Sequence, residues 1–597
     1  MPNVEEKSAF TINTPEEEKE LKILQKALAS GKKFRKKYDQ NWKKYEEYYN
    51  GNQWYGRKRP SYRASPSANI IRPSIQTIIP IMTDTQPGID VLPQEPRDFA
   101  FADVLSKVNR SWWNRRSMPI TVVEVLTDCC VYDIGVIKVV WNPDLEGGRG
   151  DAECVVLDPN NVFVLDNTSD FNKNCPVVVE LYPASVGELR RKFPDKAHLI
   201  KATGKPREIG EATSQNTEVY VVSPVDKDDG HDNPDISGSC DDNDIVWCAE
   251  MWMDDYAVEE IATEEVDAAG AAIKEQKRKY PLGKVVQAIP DLKLVLDVGE
   301  NPYKDGLKPY VRFIDTIRSR QFYGEGEVGP QIETQDMINR TLASIFDHQN
   351  LMINATWIID NDSGVDPEMI TNQVGLIIQK VRGSEVRREE APQQSPQVFQ
   401  FYDLLQNLAN TQSGVHDVTQ GRKPVGITAA EAISTMQEAA QTRIRLKERN
   451  MQVSLQQLGR LLVSRILQFY RTPRIIKITG AKQWPEYFEF FIEDTGNGGY
   501  KYNKREHTYD KKNEKYVPQD WEVGEESQGM FDIEVMAGTA LPFMKSQRGE
   551  LAIRLADGKH IDNESLLETL EWPDKEKVMM RLQQQVAPAG APPMPPQ

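Results

Sequence analysis

The chain has 597 residues, 39% of them hydrophobic and 27% charged, with a formal net charge of −17 and a mean hydropathy of −0.57. That length exceeds what one hydrophobic core organises, so several domains are expected. The acidic balance argues against a tight nucleic-acid clamp, because phosphate binding depends on cationic neutralisation, yet it suits a wall past which DNA must slide.

Charge is unevenly spread. Residues 32–63 hold eleven Lys/Arg against three acids, and residues 205–245 hold three against eleven. Each block alone reads as a solvated face. The most apolar stretch, Ile70 to Met82, is broken by Arg72 and two prolines, so no membrane span is expected. The N-terminus lacks the basic and apolar regions of a secretory signal. Six cysteines, two of them adjacent at Cys129 and Cys130, make no disulfide framework and point to reduced thiols in a cytoplasmic compartment.

In chain order, residues 1–14 read as loose. A polar helix from about Pro15 to Tyr49 stops at the turn signal Asn50-Gly51-Asn52, where Trp42, Tyr45, Tyr48, Trp54 and Tyr55 crowd together. Helical patterns follow at about 70–86, 98–116 and 119–132. Strands are expected at Val136 to Trp141, Cys154 to Leu157, Val162 to Leu165 and Val177 to Leu181, then a short helix from Ser185 to Lys192. The acidic run 205–245 reads as a mobile surface insertion. Strand patterns at Ile245 to Met253, Lys284 to Leu296 and Tyr310 to Ile317 lead into a glycine-rich stretch. That stretch, 323–330, reads as a flexible hinge into a helix reaching about Asn354.

A compact insert follows, with Trp357-Ile-Ile, a turn at 360–364, and a hairpin of Val374 to Val381 with Val386-Arg387-Arg388 about Gly383-Ser384. A second helix is expected from about Pro396 to Asp417. Next comes a basic loop, Gly421-Arg422-Lys423-Pro424-Val425-Gly426. Thr428-Ala-Ala-Glu431 then forms a capping box, opening a helical pattern that runs to Tyr470, about 60 Å at ~1.5 Å per residue. Its stripe of Ile433, Met436, Ala440, Ile444, Met451, Leu455, Leu458, Leu462, Ile466 and Phe469 predicts a buried seam. Arg443, Arg445, Lys447 and Arg449 are read as lying off that seam, available to a neighbouring subunit or to DNA. Beyond it come strand patterns at Ile475 to Ile478, Tyr487 to Ile492 and Phe531 to Val535. Three short helices, at about 545–556, 563–571 and 574–585, precede a Pro/Ala-rich tail.

Enzyme signatures are wanting. Gly324-x-Gly326-x-x-Gly329 matches the dinucleotide fingerprint in form only: Glu325 and Glu327 would face a pyrophosphate that needs donors, and Pro330 removes an amide at the helix start. There is no phosphate loop, no Gly-x-Ser-x-Gly, no Cys-x-x-Cys and no histidine pair at i, i+4. No catalytic, cofactor-binding or metal residue is therefore nominated.

The order of elements resembles the portal protein, or head-to-tail connector, of tailed double-stranded DNA bacteriophages. The resemblance covers roughly 20–585 and rests on a helix, a small α/β insert, a second helix, a loop and a long helix opening "GITAAEAISTMQEAAQTRIRLKERN". "YYNGNQW" at 48–54, "NIIRPSIQTIIPIMTDTQP" at 69–87, "VYDIGVIKVVWNP" at 131–143 and "FDIEVMAGTALP" at 531–542 add to it. It implies an α+β, multi-domain fold. A wing over 15–325 and 471–543 would carry stem helices at 326–356 and 395–418. A clip at 357–394 would lie between them, with a tunnel loop at 419–427, the long helix at 428–470 and a crown at 544–586.

The resemblance further implies a structural, non-enzymatic dodecamer at one capsid vertex of the virion, assembled in the host cytoplasm, through which DNA is packaged and ejected. Its partners would be double-stranded DNA, the terminase large subunit, tail adaptor proteins, and major capsid and scaffolding proteins. It implies no cofactor and no membrane. Gln420, Arg422 and Lys423 would face DNA, and Asp366, Glu368, Lys380, Arg382, Arg387 and Arg388 would form the docking surface of the clip. Two other readings compete: a nucleic-acid processing enzyme with unrecognised motifs, and a different head–tail connector.

Overall fold

A computed structural model describes residues 13–60, 63–83, 88–166, 168–201, 245–266, 272–353, 357–370, 377–389, 394–414, 442–479, 485–496, 499–510 and 515–536, with 552–556, 558, 566 and 567. The fold is α+β.

Helix α1, Pro15–Asn50, starts at Thr14, whose side chain accepts from the amide of Glu17 while Glu17 caps Thr14 in return, and stops at Gly51 in the left-handed region. Helices α2 (Ile71–Thr83), α3 (Phe99–Arg115) and α4 (Met118–Tyr132) follow as the sequence pattern predicts. Helix α4 is the hub. Val122, Val125, Leu126, Cys129 and Cys130 are buried, and the helix packs on α1, α2 and α3 and on a three-stranded antiparallel sheet. That sheet orders Tyr310–Phe313, Gly135–Asn142 and Asp151–Leu157 with the second in the middle.

Beneath α1 lies a second antiparallel sheet, in the order Leu294–Glu300, Lys284–Ile289, Ile245–Met253, Val177–Ser185 and Val162–Val164. Lys284 to Leu296, expected as one strand, is two strands folded back at 290–293, where Lys293 adopts φ 51°. Glu180 and Glu250 stand directly opposite each other in this sheet, a repulsive pairing by itself. Lys138 of the three-stranded sheet resolves it, reaching Glu180 at 2.7 Å and Glu250 at 3.0 Å. The hydroxyl of Tyr310 adds a donor to Glu180 at 2.7 Å. An ionic knot thus joins the two sheets where both are dry. Between Met253 and Lys284 the chain forms a separate ribbon, Val258–Val266 paired with Ala272–Arg278, which the sequence pattern did not suggest.

The C-terminal region returns to this body. Arg474–Thr479, Pro485–Asp494, Tyr500–Asp510 and Lys515–Pro518 form an antiparallel sheet, and Phe531–Met536 pairs with Gly88–Pro93 across more than four hundred residues of chain. A short helix α5, Val186–Lys192, is capped by Ser185. Three longer helices complete the frame: α6 (Val328–Ile353), α7 (Gln397–Ser413) and α8 (Thr442–Phe469). Helix α7 ends sooner than expected, because Gly414 at φ 73° closes it with a bond to Asn410. The expected helix start at Thr428 and the seam positions Ile433, Met436 and Ala440 lie outside the described residues, as do residues 205–244. No described helix is long and apolar enough to cross a membrane.

Candidate functional site

Helices α6 and α7 run antiparallel. The root of α6 meets the end of α7, where Thr334 donates to Gln412 at 2.7 Å and Gln412 donates to the carbonyl of Pro330. Their shared core is thin, consisting of Ile338, Leu405 and Ala409 with Ala68, Ile70, Leu342 and Tyr402 around them. A far larger apolar set is left in water. Phe401 (48% exposed), Leu404 (61%) and Leu408 (49%) recur at helical spacing along one face of α7, and Met337, Phe346 and Leu351 are similarly bare on α6. The α7 stripe is of the kind that marks an interaction face.

The insert between these helices is small. Trp357–Ile359 pairs antiparallel with Val386–Arg388. Of the expected partner strand, Val374 to Val381, residues 374–376 lie outside the described residues and 377–381 carry no ladder. The Gly383-Ser384 turn does form, with Gly383 at φ 99° and the Ser384 amide bonded to Val381. The chain beyond it is captured instead by Asp360, whose carboxylate accepts from the Glu385 amide at 2.6 Å.

All six residues nominated in the insert are exposed. Asp366 caps a turn by accepting from the Glu368 amide at 3.0 Å. Lys380 donates to the Ser384 carbonyl at 2.8 Å, and Arg387 lies 3.6 Å from both Glu385 and Glu389. Arg388 donates to the carbonyl of Ile353 and rests 5.8 Å from the Trp357 ring centre, tying the insert to the end of α6. Arg382 completes the set. Gln420, Arg422 and Lys423 lie outside the described residues.

The glycine-rich approach to α6 is a cinch rather than the expected hinge. Gly324 donates its amide to the Asp133 carbonyl at 3.1 Å, and the Glu327 amide donates to Cys130 at 2.9 Å. Gly326 donates to the Asp133 carboxylate at 2.7 Å. A Cβ on Gly326 would sit 2.5 Å from the Cys130 carbonyl oxygen, and one on Gly324 would sit 2.3 Å from Ile314. The glycines exist so that this segment can lie against the end of α4. Their amides are already bonded, which removes them as a phosphate cradle.

Helix α8 is buried along its seam as expected: Ile444, Met451, Leu455, Leu458, Leu462 and Ile466 are all in the core. Lys447 departs from the expectation, and Arg465, which the sequence reading did not single out, is buried as well. Lys447 is 7% exposed and donates to both Asp315 and Glu327. Arg465 is fully buried, 2.7 Å from Asp305 and stacked 3.3 Å over Tyr303. The signal was present in the spacing, since 444-447-451 and 458-462-465 step by three and four like the seam itself. Burial pushes the Asp315 carboxyl up to about 6, with Glu327 adding to it and Lys447 opposing. The two carboxylates in turn hold Lys447 above its ordinary range despite burial. Arg449 is exposed, Arg445 is half-buried, and the side chain of Arg443 lies outside the described residues.

Among the described residues the site assembles no nucleophile with a base. It offers a long helix locked to the root of a projecting apolar hairpin, with a charged insert at the hairpin's tip. A search of curated proteins returns no match. The family model described as Phage P22-like portal protein matches residues 22–597, nearly the whole chain. The chain belongs to the P22-like phage portal protein family, a structural family of the DNA-packaging machinery of bacteriophages.

Proposed function

We propose that this chain assembles as a ring, a dodecamer by family resemblance, at one vertex of the capsid, and that double-stranded DNA enters and leaves through its centre. The observation that carries the reading is the exposed apolar stripe of α7. Among the described residues Phe401, Leu404 and Leu408 stay about half exposed or more, and side-by-side packing of copies would cover them. In this reading the hairpin is the stem and the exposed insert at its tip is the clip. Asp366, Glu368, Lys380, Arg382, Arg387 and Arg388 there meet the terminase large subunit and later the tail adaptors.

Gln420, Arg422 and Lys423 form the tunnel loop at the head of the long helix and touch passing DNA. The remainder serves as wing and, at 544–586, as crown, facing capsid and scaffolding proteins. About −200 formal charges per twelve copies would keep DNA sliding rather than trapped. The ring does no chemistry of its own and leaves ATP hydrolysis to a separate motor. Negative-stain microscopy of the purified chain tests this: rings with a central hole are expected, and a monomer under every assembly condition would overturn the proposal.

A further inference from the structure

A second surface lies beside the hairpin root. Trp54 is pinned by its indole N–H, which donates to the Pro66 carbonyl at 2.9 Å. Arg59 and Arg57 stack 4.5 and 5.7 Å from its ring centre. These two arginines are neutralised in place by Asp347 and Asp336 and serve as framework. Around them stand six further cations, Lys43, Lys44, Lys58, Arg63, Arg72 and Arg340, all exposed and none in an ion pair with any described residue. Lys43, Lys44 and Arg72 lie 5.4–5.7 Å from the ring centres of Tyr55, Tyr48 and Tyr49, so the charges are held on a stiff aromatic bed.

The other flank of α1 has the opposite character. Glu46 bonds Tyr132, Asp158 and Asp128 lie near that tyrosine, and Glu124 and Asp158 lie near Asp128. Glu124 and Asp158 are exposed, Asp128 is half-buried, and no described cation forms an ion pair with any of the three. Burial pushes Asp128 up to about 7, with Asp158 and Glu124 adding to it. At ~100° per residue, Glu46 leaves α1 about 160° from Lys44 and about 60° from Lys43, so the acidic cluster is turned away from Lys44 and borders Lys43.

We propose that the basic flank carried by Lys43, Lys44, Lys58, Arg63, Arg72 and Arg340 docks the acidic flank of a second copy of this chain, at Glu124, Asp128 and Asp158. The inference rests on the ring reading and adds its register. A head-to-tail contact sets opposite faces of identical chains against each other, and each flank holds what the other lacks. Copies of net charge −17 repel unless opposite charges are matched locally. Arg340 also lines a groove with Thr341, Ser344 and Phe401 between α6 and α7. Arg340 therefore borders the exposed apolar stripe of α7, as the polar rim of an interface borders its core.

Mass photometry of the full chain at 50, 150 and 500 mM NaCl tests the pairing. Lys43→Glu with Lys44→Glu should lower the ring fraction about tenfold at 150 mM with an unchanged thermal midpoint, as should Glu124→Lys with Asp158→Lys, whose midpoint falls only by the loss of the Asp158 turn cap on Asn160. The chain carrying all four reversals should regain rings. Doubles that assemble like the parent, or a quadruple no better than either double, overturn the pairing. So does intact assembly of the lysine double with lost binding to a short DNA duplex, which would assign the patch to a polyanion. Rings that survive every charge variant but vanish in Leu404→Glu with Leu408→Glu defeat this inference alone. Rings that survive the leucine variant as well defeat the stem reading.

Discussion

Lys447 donates to the carboxylate of Asp315, a residue 132 positions earlier in the chain, and both are buried. The same ammonium also holds Glu327, one residue before the helix that begins the hairpin. The long helix and the hairpin root are therefore one mechanical unit. A rotation of either must break or carry the cluster.

Lys447→Met leaves the buried carboxylate of Asp315 and the half-buried one of Glu327 without their cation. Breaking a buried pair by removing one partner costs about 3–5 kcal/mol, so the midpoint of the first urea transition should fall by that equivalent. Replacing Asp315 by Leu in the same chain should recover part of the loss, since the repulsion goes with it. A single variant as stable as the parent would show the cluster to be solvated.

Gly326→Ala places a methyl 2.5 Å from the Cys130 carbonyl oxygen. Backbone on both sides has little room to give, so a loss of about 1–3 kcal/mol is expected. Circular dichroism against temperature reads it. The control is Gly383→Ala, where open space surrounds the Cβ but φ is 99°; only its local turn should suffer.

The pH dependence of the unassembled chain should carry the mark of Asp128. Its folded value of about 7 lies above the ordinary 3.8, so the folded state binds the proton more tightly than the unfolded state does. Stability from this group is therefore full at low pH and declines as pH rises from about 4 to 7. Asp128→Asn should raise the thermal midpoint at pH 8 and leave it unchanged at pH 4.

Leu404→Glu with Leu408→Glu should abolish rings while sparing the fold, because both side chains are exposed in the single chain. Size-exclusion chromatography with light scattering distinguishes monomer from ring. Unchanged assembly would place the copy–copy contact elsewhere.

Arg422→Glu with Lys423→Glu should leave ring assembly intact and lower the yield of DNA-filled particles. Normal packaging by that variant would remove the tunnel-loop assignment.

Much of this protein is legible in its sequence. Helix boundaries follow from apolar spacing and from local stop signals such as Gly51, and the order of helix, insert, helix and loop carried the family. The absence of phosphate-loop and zinc motifs is equally a matter of spacing. Other features are invisible there, because periodicity reports which residues share a face and says nothing of what covers it. Lys447 and Arg465 sit on an apolar seam, and only the tertiary arrangement brings Asp315 and Asp305 to them. Phe401, Leu404 and Leu408 look like core by spacing, yet among the described residues they are left about half exposed or more. Glu180 and Glu250 become neighbours only through strand register, and Lys138 makes that tolerable from another sheet. The glycines at 324 and 326 read as freedom in one dimension and are close contact in three, since what they admit is the end of a helix nearly two hundred residues away.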